Sequence, residues 1–380
     1  MWKTEMRAME KRMFYLVLMC AALMISSCGG GDEPLTPTGW AVGWSVDEST
    51  KMQTVKILKT SDAGTTWILQ TLPAECEGFH GNDISAVNNE VAWAAVGGLN
   101  TSNSEGGILH TADAGVTWTL QTLPDGIGTQ HIKSIKGMSP TEAWAVSIKG
   151  DVLHTTDGGA TWRIVPVRTA TGEIITMKQV NRMDVTGQDI WIVDVPAGEL
   201  GVIHSPDGGL TWRRESLSGI HTVGPLSISA FNSLTAWAAV NSDGHLWWTS
   251  NGGQSWNKSN DGISGTMDFD DISASSANVV WIAVNGDGES GGFTARVTVT
   301  DGNFKPNIHA HAPYMMEGIS PLTDNKAWAV GYRMSSIQPD LPMGAIYLTE
   351  DGGIAWQSQT IPANARDVVL WKVSFAEARR

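Results

Sequence analysis

The sequence predicts an all-β chain folded as a seven-bladed β-propeller of four-stranded antiparallel blades. Two recurring segments carry that prediction. The first is an eight-residue phrase: TSDAGTTW, TADAGVTW, TTDGGATW, SPDGGLTW, TSNGGQSW and TEDGGIAW, ending at Trp67, Trp118, Trp162, Trp212, Trp256 and Trp356. An eroded copy, VTDGNFKP, keeps Asp301 and Gly302 and has Pro306 where the Trp would stand. The copies lie 44 to 51 residues apart, the length of a four-stranded blade and too long for one hairpin. The second segment is a marker upstream of each copy: GWAVG at Trp40, AWAAV at Trp93, AWAVS at Trp144, IWIVD at Trp191, AWAAV at Trp237, VWIAV at Trp281 and AWAVG at Trp328. Seven markers mean seven blades.

Within the phrase, Asp62, Asp113, Asp157, Asp207, Asn251, Asp301 and Asp351 are placed to accept hydrogen bonds from backbone N–H groups a few residues on. Gly64, Gly115, Gly159, Gly209, Gly253 and Gly353 supply a positive φ. The result is a self-bonded turn, and the closing Trp opens the next strand with a large surface to wedge between blades. Thirteen of the 18 Trp residues fall in the two segments, so the Trp content is core packing and not a stacking platform for bases or sugars. The copy number makes these Asp residues scaffold, not catalysts.

These phrases resemble the Asp-box, or bacterial neuraminidase repeat. The longer AWAVSIKGDVLHTTDGGATW, Ala143 to Trp162, resembles the repeat of photosystem II assembly factor-type propellers. The resemblance spans about residues 39–378 and is specific for fold, less so for function. In the assembly factors it implies an arginine patch that docks a membrane-protein partner. Here the basic residues are scattered, and Arg213 and Arg214 are the only adjacent pair within the blades.

Inner strands are marked by Ile84, Ile135, Ile228, Ile272 and Ile319, each nine residues before a marker Trp, with Val185 in the shorter unit four. Unit one has no such strand, whereas the chain ends in the apolar DVVLWKVSF. Residues 367–375 are therefore expected to complete blade one and close the ring, leaving no long sheet edge.

Residues 1–27 read as a signal peptide. Lys11 and Arg12 precede the apolar run MFYLVLMCAALMI, which is too short to span a bilayer. The run ends in ISSC, which resembles the lipobox of bacterial lipoproteins and implies cleavage before Cys28 and lipidation of that cysteine. Translation starting at Met6, Met9 or Met13 would give a more ordinary signal length. Residues 28–38 read as a flexible tether and residues 39–378 as the propeller. The expected location is the bacterial cell envelope, facing the periplasm or the exterior. With Cys20 removed and Cys28 lipidated, only Cys76 remains, so the mature chain forms no internal disulfide.

Loss of Lys3, Arg7, Lys11, Arg12, Glu5 and Glu10 with the signal leaves 21 basic against 37 acidic residues, a net charge of −16. That excludes nucleic acid as a natural partner. Second-to-third-strand loops read as long in units one (Ser45 to Thr54), two (Gly97 to Glu105), six (Asn285 to Gly292) and seven (Tyr332 to Met343), and short in units three, four and five. The long loops form a wall over half of one face, with Asp47, Glu48, Glu105, Asp287, Glu289 and Asp340. Residues just before the inner strands line the channel mouth on that face: His80, His131, Arg182, His221, Asp268, Asp270, Asp271, His311, Tyr314 and Glu317. Polar residues at a water-filled mouth need no function, but these and the wall are where a partner would bind. His309 and His311 lack a third ligand fixed by spacing, so no metal is expected, nor any cofactor.

The enzymatic alternative is a glycan-binding protein or a sialidase-like glycoside hydrolase. Sialidases need an arginine triad with one member ahead of the first Asp box, a Tyr–Glu pair and an Asp acid. No arginine lies between Arg12 and Arg163, although Tyr314 and Glu317 are close in sequence. The expected molecule is a monomeric, lipid-anchored propeller acting as a non-catalytic scaffold for an envelope protein or a glycan.

Overall fold

In the computed structural model, residues 36–376 are described, apart from 48, 51, 99–105, 128–130, 195–200, 218–225, 241–243, 260–267, 287–290, 301 and 335–341. Alternating and wholly apolar runs pair as seven four-stranded antiparallel sheets. Blade one begins with β1 (Thr38–Val46), β2 (Gln53–Thr60) and β3 (Ile68–Leu69). Blade two is β4 (Phe79–Ala86), β5 (Ala92–Gly98), β6 (Gly106–Thr111) and β7 (Thr119–Leu120), and blade three is β8 (Ile132–Gly137), β9 (Ala143–Ser147), β10 (Val152–Thr155) and β11 (Arg163–Val165). Blade four comprises β12 (Val180–Thr186), β13 (Asp189–Asp194), β14 (Gly201–Ser205) and β15 (Arg213–Ser216); blade five comprises β16 (Leu226–Ala230), β17 (Ala236–Val240), β18 (His245–Thr249) and β19 (Asn257–Lys258). Blade six holds β20 (Asp268–Ser276), β21 (Val279–Asn285), β22 (Phe293–Thr300) and β23 (Asn303–Ala310), and blade seven β24 (Met315–Pro321), β25 (Ala327–Met334), β26 (Pro342–Thr349) and β27 (Gln357–Ser358). The last strand, β28 (Val369–Ala376), pairs with β1 and completes blade one, as the unpaired apolar C-terminus predicts.

Blades hold together through their tryptophans. Six marker Trp residues are completely buried and Trp144 nearly so. Each marker packs against the phrase of the next blade: Trp40 meets Trp118 edge-on at 5.4 Å, Trp93 meets Trp162 at 5.7 Å, Trp191 meets Trp256 and Trp281 meets Trp356, both at 6.0 Å. In the eroded copy Phe304, not the residue at Pro306, supplies the ring, meeting Trp237 edge-on at 6.1 Å. Pro306 lies in β23, an eight-residue outer strand where Asp-box blades have two to four. The reason is local: without a self-bonded turn, Thr300 and Asn303 pair as the end of a tight hairpin and the ladder runs on. Asp301 lies outside the described residues.

The Asp-box turn has the predicted construction. Thr66 donates its N–H (2.8 Å) and its hydroxyl (2.6 Å) to the two oxygens of Asp62, and Gly64 donates its N–H to the Thr60 hydroxyl at 2.8 Å. In blade five Asn251 does the same work, accepting the Ser255 N–H at 3.0 Å and donating to its hydroxyl at 2.8 Å. Beyond the prediction, the residue after the acid is also left-handed, even where it is Ala63 (φ 56) or Ala114 (φ 62). Its N–H donates to the hairpin between the blade's first two strands, as from Gly158 to Thr141 O and from Gly208 to Gln188 O, both at 2.9 Å. The boxes therefore share the face of those hairpins, opposite the mouth.

Cys76 is buried between blades one and two, and burial pushes its thiol up to about 11, so it behaves as an apolar core residue.

Candidate functional site

The channel is lined by the seven inner strands, and register divides their inward residues into three levels. The lowest lies opposite the marker Trp: Ser374, Ser85, Lys136, Asp184, Ser229, Ser273 and Ser320, in blade order. Most of these side chains accept a hydrogen bond from the next blade's backbone. Ser374 accepts the N–H of Ala86 (3.0 Å), Ser85 that of Gly137 (3.0 Å), Asp184 that of Ala230 (2.8 Å), Ser229 that of Ala274 (3.1 Å) and Ser320 that of Phe375 (3.0 Å). Lys136 instead donates to Asp184 of the next blade at 2.7 Å. Neighbouring inner strands do not form a common sheet, so these side chains satisfy N–H groups that a ladder would otherwise take. They surround a cavity of about 300 Å³.

The middle level carries Lys372, Asp83, Ser134, Arg182, Ser227, Asp271 and Gly318. Asp83 accepts from the Ser134 hydroxyl (2.6 Å) and the Ile135 N–H (3.0 Å) and faces the Arg182 guanidinium at 3.5 Å. Asp271 accepts the Ile319 N–H at 2.9 Å and forms an ion pair with Lys372. That pair reaches across blade seven, where Gly318 stands. A Cβ on Gly318 would sit 2.8 Å from Trp371 O and 2.9 Å from Lys372 Cα, so only a glycine lets strands β24 and β28 close up there. These charges form a plug.

Above the plug, six inner strands carry a β-bulge at the same place. The bulged residues are Trp371, Asn82, Lys133, Asn181, Asp270 and Glu317, in blades one, two, three, four, six and seven. A bulge opposes two residues to one and re-aims side chains, so each strand presents an extra residue at the mouth. Acids gather on blades six and seven. Asp270 accepts the backbone N–H of Asn285, and burial, outweighing Lys372 and helped by Asp268 and Asp271, raises it to about 7. Glu317 is 1% exposed and accepts from Asn285 Nδ2 at 3.0 Å; burial and the facing Asp270 push it well above the usual carboxylate range. Lys133 lies across the channel, lowered to about 8 by burial and by Arg182 and Lys372. Between these poles runs an aromatic arc: Trp371 to Trp44 at 5.3 Å, Trp44 to His80 at 5.5 Å and His80 to His131 at 5.7 Å. Burial, then His131 and Lys133, lower His80 to about 4, so it is neutral.

Of the residues predicted for the site, Arg182 lies one level below the mouth, in the plug, whereas His80, His131, Asp270 and Glu317 meet around it. His311 and Tyr314 do not. The chain leaving β23 tucks between blades six and seven, where His311 shares a hydrogen bond with the Thr294 hydroxyl (2.9 Å) and packs on Tyr347 (4.6 Å) and Trp356 (5.3 Å). Tyr314 lies beneath the Arg333 guanidinium at 5.2 Å. His221, Asp287 and Glu289 lie outside the described residues, as do Glu48, Glu105 and Asp340 of the wall. Asp47 accepts from the backbone and hydroxyls of Ser49 and Thr50, so it closes its own loop and is not free for a partner. The second-to-third-strand connection of unit four, residues 195–200, lies outside the described residues. Among the described residues no group of three His, Cys, Asp or Glu is placed to hold a metal ion.

Sequence reasoning missed Lys133, Lys372, Asp83 and Asn285. For Asp83 and Lys133 the signal was a break in alternation: Asn82-Asp83 and Lys133-Ser134, like Asp270-Asp271, put two polar residues together in strands that otherwise alternate.

Residues 128–290 match the family described as photosynthesis system II assembly factor YCF48. Among solved structures, the chain resembles one titled "YCF48 bound to D1 peptide", with 18% identity over 73% of this chain and 80% of that one, TM-score 0.52. It also resembles YCF48 from Cyanidioschyzon merolae, with 16% identity over 83% of this chain and 97% of that one, TM-score 0.57. A chain in a nidogen/laminin complex superposes with TM-score 0.51 at 8% identity, over 90% of this chain and 100% of that one. No curated protein sequence matches. The likeness read from the repeats therefore stands: this is a seven-bladed propeller with Asp-box turns, and residues 128–290 of it are similar to the assembly-factor repeat.

Proposed function

We propose that the chain is a lipid-anchored, extracytoplasmic propeller that acts as a non-catalytic scaffold and takes a protein partner on the mouth face. One observation carries this reading. On the same inner strands, the lower level is closed by hydrogen bonds between blades, whereas the mouth holds buried polar atoms with no partner: His80 Nδ1, Asp270 Oδ2, Asn285 Oδ1 and Glu317 Oε2. Unpaired buried polar atoms are costly and rare in folded proteins, and a docking segment would satisfy them. The structural relative titled as bound to a D1 peptide supports a protein ligand over a glycan. The lipobox-like ISSC supports the anchor and the envelope location.

Two measurements test the reading. A photo-crosslinking residue at His131, on the mouth, should capture one envelope protein, and the same residue at Val116, exposed in an Asp-box turn, should capture none. Capture from Val116 alone, or from neither, overturns the proposed face. Cys28→Ala should abolish labelling of the chain by a fatty-acid analogue, and equal labelling of the variant removes the anchor.

A further inference from the structure

The orphaned atoms at the mouth are not a random sample of polar chemistry. On blades six and seven, Glu317 Oε2, Asp270 Oδ2 and Asn285 Oδ1 are all acceptors, all buried and all without a donor. Asn285 joins them, since its amide donates to Glu317 and its backbone N–H to Asp270. Three acceptors bridged by one residue ask for a ligand with several N–H donors and positive charge. Metal geometry is not met there. Beside the acids, in the next blade, Trp371 occupies the equivalent bulge and continues through Trp44, offering an aromatic face of the type that attracts organic cations.

The geometry points to a receptor for a guanidinium or ammonium side chain of the docked partner, with its head against Glu317, Asp270 and Asn285 and its stem along Trp371. This deepens, and rests on, the scaffold reading above. A planar guanidinium has donors enough for all three acceptors, whereas an ammonium offers a compact charge.

Protons must leave when the cation arrives. The groups facing the acids are Asp268 and Asp271 on β20, Tyr332 on β25 and Lys372 on β28, with Arg182 and Asp83 behind Lys372. Lys372 is paired with Asp271, and its charge offsets only part of the burial of Glu317 and Asp270. Both acids have raised values, so they hold protons in the free protein at mildly acidic pH and give them to solvent when a cation binds. The same sign governs stability. Protonated, these acids favour the folded state, fully so below the ordinary carboxylate range, and that support is lost as pH rises through about 7 for Asp270.

The test uses the full chain and acetyl-Gly-Gly-Arg-Gly-Gly-amide, with lysine and citrulline versions as comparison. Titration calorimetry in buffers of different ionisation heat reads affinity and proton release together. The arginine or lysine peptide should bind at least about tenfold more tightly than the uncharged citrulline isostere. Its affinity should rise with pH below pH 7, by about tenfold per pH unit for each proton released. The better of the arginine and lysine peptides identifies the head group. Glu317→Gln and Asp270→Asn keep the side-chain shapes; each should lower affinity at least about tenfold and flatten the pH slope, with unchanged near-ultraviolet dichroism showing a folded ring. Equal binding of citrulline, a flat pH profile in the native chain, or displacement of the peptide by millimolar calcium or magnesium chloride would overturn the assignment. Failure here with crosslinking from His131 intact sinks the cation receptor alone; loss of crosslinking sinks the scaffold reading as well.

Discussion

At the level of the marker tryptophans the inner strands carry serine in five blades of seven, and a few residues further up they carry Trp371, Asn82, Lys133, Asn181, Asp270 and Glu317, almost no two alike. Both levels are polar and both face the channel. The lower one repeats because most blades must solve one problem, an unpaired backbone N–H beside a strand that does not join its sheet. The upper one has no such common task. In a repeat protein the positions that escape the repeat are where recognition develops, and here a shared bulge sets them apart from the scaffold.

The most severe way to break this contrast is to remove a blade's contribution to both levels. Deleting residues 369–376 takes away Ser374, Lys372 and Trp371 together with buried Leu370, Val373 and Phe375, whose ring stacks on Trp328 at 3.6 Å. The expected loss is about 5 kcal/mol or more, with aggregation through the bared β1 edge. A deletion variant that unfolds in denaturant like the full chain would show that the ring does not depend on this strand.

The middle level gives a smaller effect. Asp271→Ala leaves the buried Lys372 ammonium without its partner and the Ile319 N–H without its acceptor, at a cost of about 3 kcal/mol. Chemical denaturation checks it, and a loss below about 1 kcal/mol would mean that the plug is ornamental. The finest test stays within the serine level. Ser85→Ala removes the acceptor of the Gly137 N–H and should cost about 1 kcal/mol. Ser273→Ala, at the same position in blade six, breaks no inter-blade bond and should stay within about 0.5 kcal/mol. Equal costs would refute the stapling role.

The fold was legible because its determinants are local and repeated. Trp93, Asp113, Gly115 and Trp118 each serve contacts that recur around the ring, so one blade checks another, and the unpaired DVVLWKVSF could only be the missing strand. The mouth was half legible. His80, His131, Asp270 and Glu317 could be placed by counting back from the markers, since chain direction fixes which end of an inner strand is the mouth. His311 and Tyr314 defeated that count because the long β22–β23 hairpin redirects the chain between two blades. Lys133 was missed because a bulge shifts inward facing by one residue and strict alternation hides it. Phe304 shows a third limit: a hairpin one turn shorter than its neighbours moves the needed ring two positions along.

Closure by the chain's last strand also sets a timetable. About 320 residues separate the end of β1 at Val46 from the start of β28 at Val369. At a synthesis rate of roughly 5–20 residues per second, the first strand waits on the order of a quarter of a minute to a minute for its partner to be made. If the chain is exported, that interval is spent in the company of whatever holds unfolded proteins for translocation. A message or a protease that removes β28 would not shorten the molecule slightly; it would leave every copy permanently at the stage before the ring can shut.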